Sequence, residues 1–278
     1  MFIATIVAAE QLTKQSLMQA LPQAHSLEQV HDAVFRLAFA GDPVAARSSL
    51  EQFPADVFVR PADAPAPQLL IADMDSTMIT VECIDELADY AGVKPQVAEI
   101  TERAMRGELD FNDSLRARVA LLKGLDVEVL ARCYEERVRI MEGARTLIRT
   151  LKARGARTLL VSGGFTYFAE RVAAQIGFDE YRANVLGVGE GRLDGIVAEP
   201  ILGAEAKRQA LLEQGFDQAA TVAIGDGAND IPMLQASGLG IAYHGKPKVI
   251  AAAGAAVRFG DLTSVLHGLE VPRAEWVE

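Results

Sequence analysis

Asp73 and Asp75 stand one residue apart at the end of an apolar run, Gln68-Leu69-Leu70-Ile71-Ala72-Asp73-Met74-Asp75-Ser76-Thr77. Carboxylates this close repel each other, and charge beside a core is costly unless a cation or a reaction partner compensates. The pair therefore asks for a metal or for chemistry. The competing explanation is a turn that Asp73 and Asp75 open and cap, helped by Ser76 and Thr77.

Two further stretches share the signature of an apolar run ending in polar and glycine residues. Thr158-Leu159-Leu160-Val161 runs into Ser162-Gly163-Gly164, and Thr221-Val222-Ala223-Ile224 runs into Gly225-Asp226-Gly227-Ala228-Asn229-Asp230. Lys207 falls near the start of the helix expected between them, where a cation faces the positive end of the helix dipole. Each residue alone reads as a cap, a turn or a solvated charge, but together and in this order they fit phosphoryl transfer. Asp73 can attack phosphorus as a carboxylate nucleophile, forming an aspartyl-phosphate that water then hydrolyses. Asp75 is placed to protonate the leaving alkoxide and later to take a proton from water. Asp226 and Asp230 complete an all-oxygen site with Asp73, to which the Asp75 backbone carbonyl adds a ligand, and hard oxygen donors beside phosphate suit Mg²⁺. Ser162, the Gly163 amide and Lys207 would hold the phosphoryl oxygens on which transition-state charge spreads. Asn229 is placed to orient Lys207 or Asp230 beside the substrate.

The elements that must position these groups follow from hydrophobic patterning. Short apolar runs without alternation read as strands buried on both faces of a parallel sheet, whose ligands lie beyond the carboxyl ends of the strands. Four helical segments, Glu82 to Ala91, Pro95 to Met105, Phe111 to Lys123 and Val127 to Met141, follow the Asp73 strand without a strand between them and read as a lid, with Gly92, Gly107 and the turn before Glu142 as hinge positions. Strand and helix then alternate to Tyr243, around a hairpin at Gly189-Glu190-Gly191, and Ala251 to Ala256 reads as a close-packed helix end. Residues 1–60 read as a βαββαβ unit, a ferredoxin-like sheet with two helices. Three prolines in residues 61–67 make that segment a linker. The expected division is thus 1–60, linker 61–67, core 68–81 with 142–278, and cap 82–141.

Composition narrows the class. The chain has 278 residues, 50% hydrophobic and 23% charged, enough for one large α/β domain plus a smaller one. Its 38 acidic against 27 basic residues, a net charge of -11, argue against nucleic acid or anionic membrane as partner. No run approaches the roughly 18 apolar residues of a membrane span. The apolar start lacks the positive region of a secretory signal. Cys83 and Cys133, the only cysteines, make neither a disulfide framework nor a zinc cluster and suggest a reducing cytoplasmic setting.

Two motifs mislead. Cys133 to Arg139 has the Cys-x5-Arg spacing of a cysteine phosphatase loop, but it has no glycine and lies in a helical stretch, so it cannot form an anion nest. Gly240 to Pro247 imitates a nucleotide-binding loop but puts Pro247 where a metal-binding hydroxyl is needed. The scattered histidines, His25, His31, His244 and His267, neighbour no Arg-His-Gly.

Asp73-Met74-Asp75-Ser76-Thr77, Val161-Ser162-Gly163-Gly164-Phe165, Lys207 and Gly225-Asp226-Gly227-Ala228-Asn229-Asp230 together resemble the four motifs of the haloacid dehalogenase superfamily, in a wording similar to its phosphoserine phosphatase family. The resemblance spans about residues 73–246. It implies a Rossmann-like core with a helical cap, Mg²⁺ dependence, an aspartyl-phosphate intermediate, and hydrolysis of O-phosphoserine to serine, the last step of serine biosynthesis. Glu82 resembles the family's ammonium-binding acid and Arg118 its carboxylate-binding arginine. Helical spacing from Leu115 and Leu122 independently puts Arg118, and not Arg116, beside the apolar face. Met105 and Phe111 resemble the apolar cap residues that exclude water, with ordinary cap core as the competing explanation. Residues 1–60 resemble a divergent, short ACT domain, a type tied to amino-acid sensing and homodimerisation. A phosphatase or phosphotransferase for another small phosphomonoester, and a non-catalytic amino-acid sensor, are the alternatives.

Overall fold

The computed structural model describes residues 1–106 and 108–278. Gly107 and the side chain of Met105 lie outside the described residues, and so do the hinge and the apolar cap contact expected of them. The chain begins β1 (Phe2–Ala8), α1 (Lys14–Ala20), β2 (Ala24–His31), β3 (Val34–Phe39), α2 (Pro43–Leu50) and β4 (Ala55–Pro61). The helix starts follow local chemistry. Thr13 accepts the Ser16 amide at the start of α1, and Asp42 accepts the Val44 amide before Pro43 opens α2. Alternation along β1 and β3 turns Ala4, Ile6, Phe35, Leu37 and Phe39 onto Leu17, Leu21 and Leu50, which form a small core of their own.

Then follow β5 (Leu69–Ala72), the inserted helices α3 (Cys83–Tyr90), α4 (Lys94–Met105), α5 (Phe111–Ala120) and α6 (Glu128–Arg137), and α7 (Ala144–Ala153), β6 (Arg157–Phe165), α8 (Thr166–Ile176), β7 (Glu180–Asn184), β8 (Leu186–Gly189) and β9 (Arg192–Val197). The chain ends through α9 (Ala204–Leu212), β10 (Thr221–Gly225), α10 (Ile231–Ala236), β11 (Leu239–Tyr243), α11 (Pro247–Ala252), β12 (Ala255–Val257) and α12 (Thr263–Gly268). Strands β12-β11-β10-β5-β6-β7 are parallel, as short runs buried on both faces require, with β5 in register between β10 (Ile224 opposite Ala72) and β6 (Leu160 opposite Ala72). The ends of the three strands that carry the acids, the serine and the glycines are therefore neighbours.

The parallel sheet continues into the N-terminal strands. β4 pairs antiparallel with β12 at Val57 and Ala256, giving ten strands in the order β2-β3-β1-β4-β12-β11-β10-β5-β6-β7. The junction is built from Asp56, a fully buried carboxylate that accepts the amides of Arg258 (2.7 Å), Phe259 (3.0 Å) and Gly260 (3.0 Å). A Cβ on Gly268 would lie 2.3 Å from the Phe58 ring, so α12 packs against β4 only because it carries glycine there.

Three local expectations change. The fourth cap helix stops at Arg137, where Val138 turns extended; Ile140 bridges Ile79 and the Met141 amide donates to the Met78 carbonyl, so entry to and exit from the cap are tied together. β7 was not anticipated, because an edge strand reading Glu-Tyr-Arg-Ala-Asn has no apolar run to announce it. Ala251–Ala256 divides between the end of α11 and the strand β12, which pairs with β11 on one side and β4 on the other. Among the described residues no helix is long and apolar enough to cross a membrane.

Candidate active site

Asp73 is the first residue beyond β5, and its amide extends the ladder to Ile224 O at 2.9 Å. Its Oδ1 accepts the Met74 amide at 2.7 Å and lies 2.7 Å from Lys207 Nζ. Lys207, in the first turn of α9, is completely buried, and its Nζ also lies 2.7 Å from Asp230 Oδ1. Asp230 closes a single tight turn after β10, where its Oδ2 takes the Gly227 amide at 2.9 Å. A Cβ on Gly225 would fall 2.4 Å from Asp230 Cγ, which explains the glycine there. Asp226 completes the group and accepts the Thr77 hydroxyl at 3.1 Å. Asp73, Asp226 and Asp230 each offer an oxygen within 4.8 Å of the others.

Electrostatics set the task of this cluster. Burial pushes the Asp73 carboxyl well above its usual range, and Asp230 and Asp226 push further while Lys207 opposes. Burial, Asp230 and Glu82 raise Asp226 to about 6. Burial alone would lower Lys207, but Asp230 and Asp73 outweigh it, so the ammonium stays charged. Three carboxylates facing one ammonium leave excess negative charge, and their all-oxygen donor set fits a hard divalent cation.

Asp75 is also buried, and its Oδ1 has no hydrogen-bond partner. Burial raises its proton affinity and Glu82 adds to this, while the Cys83 thiol and amide oppose. A carboxyl held high is suited to giving up a proton late. Ser162, completely buried, accepts the Gly164 amide on Oγ at 2.8 Å, which leaves its own proton to donate. It caps no helix, since Phe165 occupies that position of α8. A Cβ on Gly164 would lie 2.8 Å from Asp75 Oδ2 and 3.0 Å from Ser162 Oγ. Glycine there lets Ser162 and Asp75 face one space.

The cap supplies the rest. Glu82 precedes α3 without capping it, is exposed, and accepts the Ser76 hydroxyl at 2.7 Å. Arg118 is half-buried, donates from Nε to Ser114 O at 3.3 Å, and makes no ion pair among the described residues. Burial lowers its proton affinity, with Asp85, Glu82 and Asp75 opposing. Arg116 instead turns outward onto Glu199 at 2.7 Å and Asp113 at 3.0 Å. Phe111 rests on the core: a Cβ on Gly163 would lie 3.0 Å from its Cζ, and one on Gly203 3.0 Å from its Cδ1. Asn229 lies at the rim, its Nδ2 3.8 Å from where a Gly163 Cβ would sit, and among the described residues it bonds neither Lys207 nor Asp230, contrary to the orienting role expected of it. Cys133 sits buried in α6 with its thiol pushed up to about 12 by burial, which removes the cysteine phosphatase alternative. Gly203 escaped the sequence reading, and so did the contact of Thr77 with Asp226, since the sequence reads Thr77 as part of the turn at the acid pair. Thr77 had adjacency to the acid pair as its signal, whereas Gly203 had none.

A fold and a site of this kind define a class, and the sequence profile described as haloacid dehalogenase-like hydrolase matches residues 67–238. The chain belongs to that family. Within it, the chain is 47% identical over 209 residues to the phosphoserine phosphatase of Polaromonas sp., covering 72% of this chain and 89% of the relative. The unliganded crystal structure of a probable phosphoserine phosphatase from Vibrio cholerae superposes with a TM-score of 0.78 at 35% identity, over 99% of this chain and 87% of that one. A structure titled as the phospho-aspartyl intermediate analogue of phosphoserine phosphatase superposes with a TM-score of 0.68 at 39% identity, over 73% of this chain and 98% of that one. Other curated relatives are longer, and the chain spans 52% to 64% of three of them.

Proposed function

We propose that this chain is a Mg²⁺-dependent phosphatase that hydrolyses O-phosphoserine to serine and phosphate through an aspartyl-phosphate on Asp73. The observation that carries the substrate is a pair of cap residues with no ion-pair partner: Glu82 and Arg118 make none with each other or elsewhere among the described residues, yet Glu82 acts electrostatically on Asp75, and Glu82 and Asp75 both act on Arg118. An ammonium and a carboxylate on one small phosphomonoester match them.

Asp73 Oδ1 is engaged by Lys207 and the Met74 amide, so Oδ2 is the oxygen that attacks phosphorus. The phosphorus–ester oxygen bond breaks, and Asp75 gives its proton to the serine alkoxide. Asp75 then takes a proton from water as the water oxygen attacks phosphorus, and the bond to Asp73 breaks to release phosphate. Ser162, the Gly163 amide and Lys207 bind the phosphoryl oxygens, with Asn229 at the rim. Phe111, seated against Gly163 and Gly203, excludes water. Mg²⁺, held by Asp73, Asp226, Asp230 and the Asp75 backbone carbonyl, would offset the charge of the carboxylates and of the phosphoryl oxygens.

Residues 82–141 act as the cap on a core of 68–81 and 142–278, and the ACT-like unit 1–60, joined by 61–67, is the candidate for homodimerisation. The reaction belongs in the cytoplasm as the serine-forming step. A panel of phosphorylated metabolites assayed with and without Mg²⁺ tests the reading. Phosphoserine should be the preferred substrate, Asp73→Asn should abolish turnover, and Arg118→Ala should damage phosphoserine hydrolysis far more than that of p-nitrophenyl phosphate. Equal loss on both substrates overturns the substrate assignment.

A further inference from the structure

Ser76 is one of four non-glycine residues with positive φ among the described residues, at 56°. A left-handed backbone is unfavourable for a residue with a Cβ, and such residues persist where the surroundings impose them. The turn that imposes it runs from Met74 to Ile79, with the Met74 carbonyl accepting the amides of Thr77, Met78 and Ile79. Two consequences follow at once. Thr77 is buried against Asp226, and the Ser76 hydroxyl is aimed across the chain to Glu82 Oε1 at 2.7 Å.

Glu82 needs such an anchor. It is exposed, makes no cap bond and no ion pair, and Ser76 is its hydrogen-bond partner among the described residues. It also faces like charge, since it raises the proton affinity of both Asp75 and Asp226. A carboxylate beside other carboxylates swings away into solvent unless something holds it. The bond from Ser76 engages Oε1 and leaves Oε2 for an ammonium.

We propose that Ser76 is a specificity-determining positioning residue, whose strained backbone and hydroxyl hold Glu82 where the ammonium of the substrate binds. This rests on the phosphoserine reading. It makes selectivity for an amino-acid phosphate depend on the residue beside the Asp73-Asp75 pair, so the loop that carries the chemistry also presets the cap.

The test is a double-mutant cycle of Ser76→Gly and Glu82→Gln on phosphoserine, with p-nitrophenyl phosphate, which has no ammonium, as control. Ser76→Gly keeps the left-handed turn, relieves its strain and removes the hydroxyl together with the Cβ that carries it. Its KM for phosphoserine should rise roughly tenfold, the loss of one charge-assisted hydrogen bond, with kcat and the aryl phosphate rate unchanged. Added to Glu82→Gln it should have no further effect. Ser76→Thr, which retains the hydroxyl, should keep part of the wild-type KM. Equal loss on both substrates shows a merely structural turn, and additive effects of the two substitutions show that Ser76 does not act through Glu82. Either result overturns the role of Ser76 alone. Wild-type enzyme that hydrolyses the aryl phosphate but not phosphoserine overturns the substrate reading and this role with it.

Discussion

Lys207 Nζ lies 2.7 Å from Asp73 Oδ1 with the lysine wholly, and the aspartate almost wholly, out of solvent. The lysine sits in the first turn of its helix, against the dipole, and is fully buried, so two local preferences are overridden for one contact. The contact neutralises one carboxylate oxygen and fixes the other.

Removing the ammonium should therefore do more than weaken phosphate binding. Lys207→Met keeps the volume and leaves Asp73, Asp226 and Asp230 facing one another unpaired. Hydrolysis is expected to fall on the order of 100-fold or more, and metal-free stability by about 3–5 kcal/mol. Initial rates and urea unfolding check both, and turnover within tenfold of wild type refutes the role.

The carboxylates also make metal binding and stability depend on pH. Asp226 is raised from the ordinary 3.8 to about 6, so the native state holds its proton more tightly than the unfolded chain does. The contribution of Asp226 to metal-free stability is then fully present below about 4 and is lost as pH rises through about 6. Metal requires the deprotonated form and stabilises by mass action. The rise in Tm on adding Mg²⁺ should thus grow as pH increases through about 6. Thermal melts from acid to neutral pH, with EDTA or with excess Mg²⁺, measure it; a metal increment indifferent to pH refutes it.

How much of this was legible in the residues depends on whether the signal was local. Asp73, Ser162 and Asp226 announce themselves, because each ends a buried apolar run and the period of such runs fixes where strands stop. Arg118 was separable from Arg116 by helical spacing alone, and the outward pairing of Arg116 with Glu199 agrees with it. The contact between Phe111 and Gly203 was invisible, since it joins positions 92 residues apart and depends on how the cap seats. The pairing of β4 with β12 was equally hidden, for a three-residue strand of alanine and valine carries no periodicity.

That hidden junction is open to test at Asp56. Its carboxylate accepts three backbone amides of the loop after β12, and these amides have no other acceptor once it is gone. Asp56→Ala is expected to cost about 3 kcal/mol, the penalty of buried unsatisfied donors. Because β12, β11 and β10 stand between β4 and β5, kcat/KM at moderate temperature should be unchanged. A lowered urea midpoint with normal kinetics is the expected pair of results, and a normal midpoint refutes the structural role.

Gly203 tests whether the cap must seat on the core. Its φ of -108° suits any residue, so glycine is not required by the backbone. It is required by Phe111 Cδ1 and Asn112 Oδ1, which would lie 3.0 Å and 3.4 Å from an added Cβ. Gly203→Ala should lift the first turn of α5 and with it the Arg118 that follows two turns later, while the α9 backbone that carries Lys207 stays in place. Roughly tenfold lower kcat/KM for phosphoserine is expected, with little change in Tm, since a few tenths of an ångström at the cap disturbs alignment more than it disturbs packing. Trimming the ring should relieve the contact, so Gly203→Ala with Phe111→Leu should recover part of the loss suffered by Gly203→Ala alone. If the double variant is instead worse than either single one, the ring is needed for more than its fit against Gly203, and seating of the cap is not what the glycine protects.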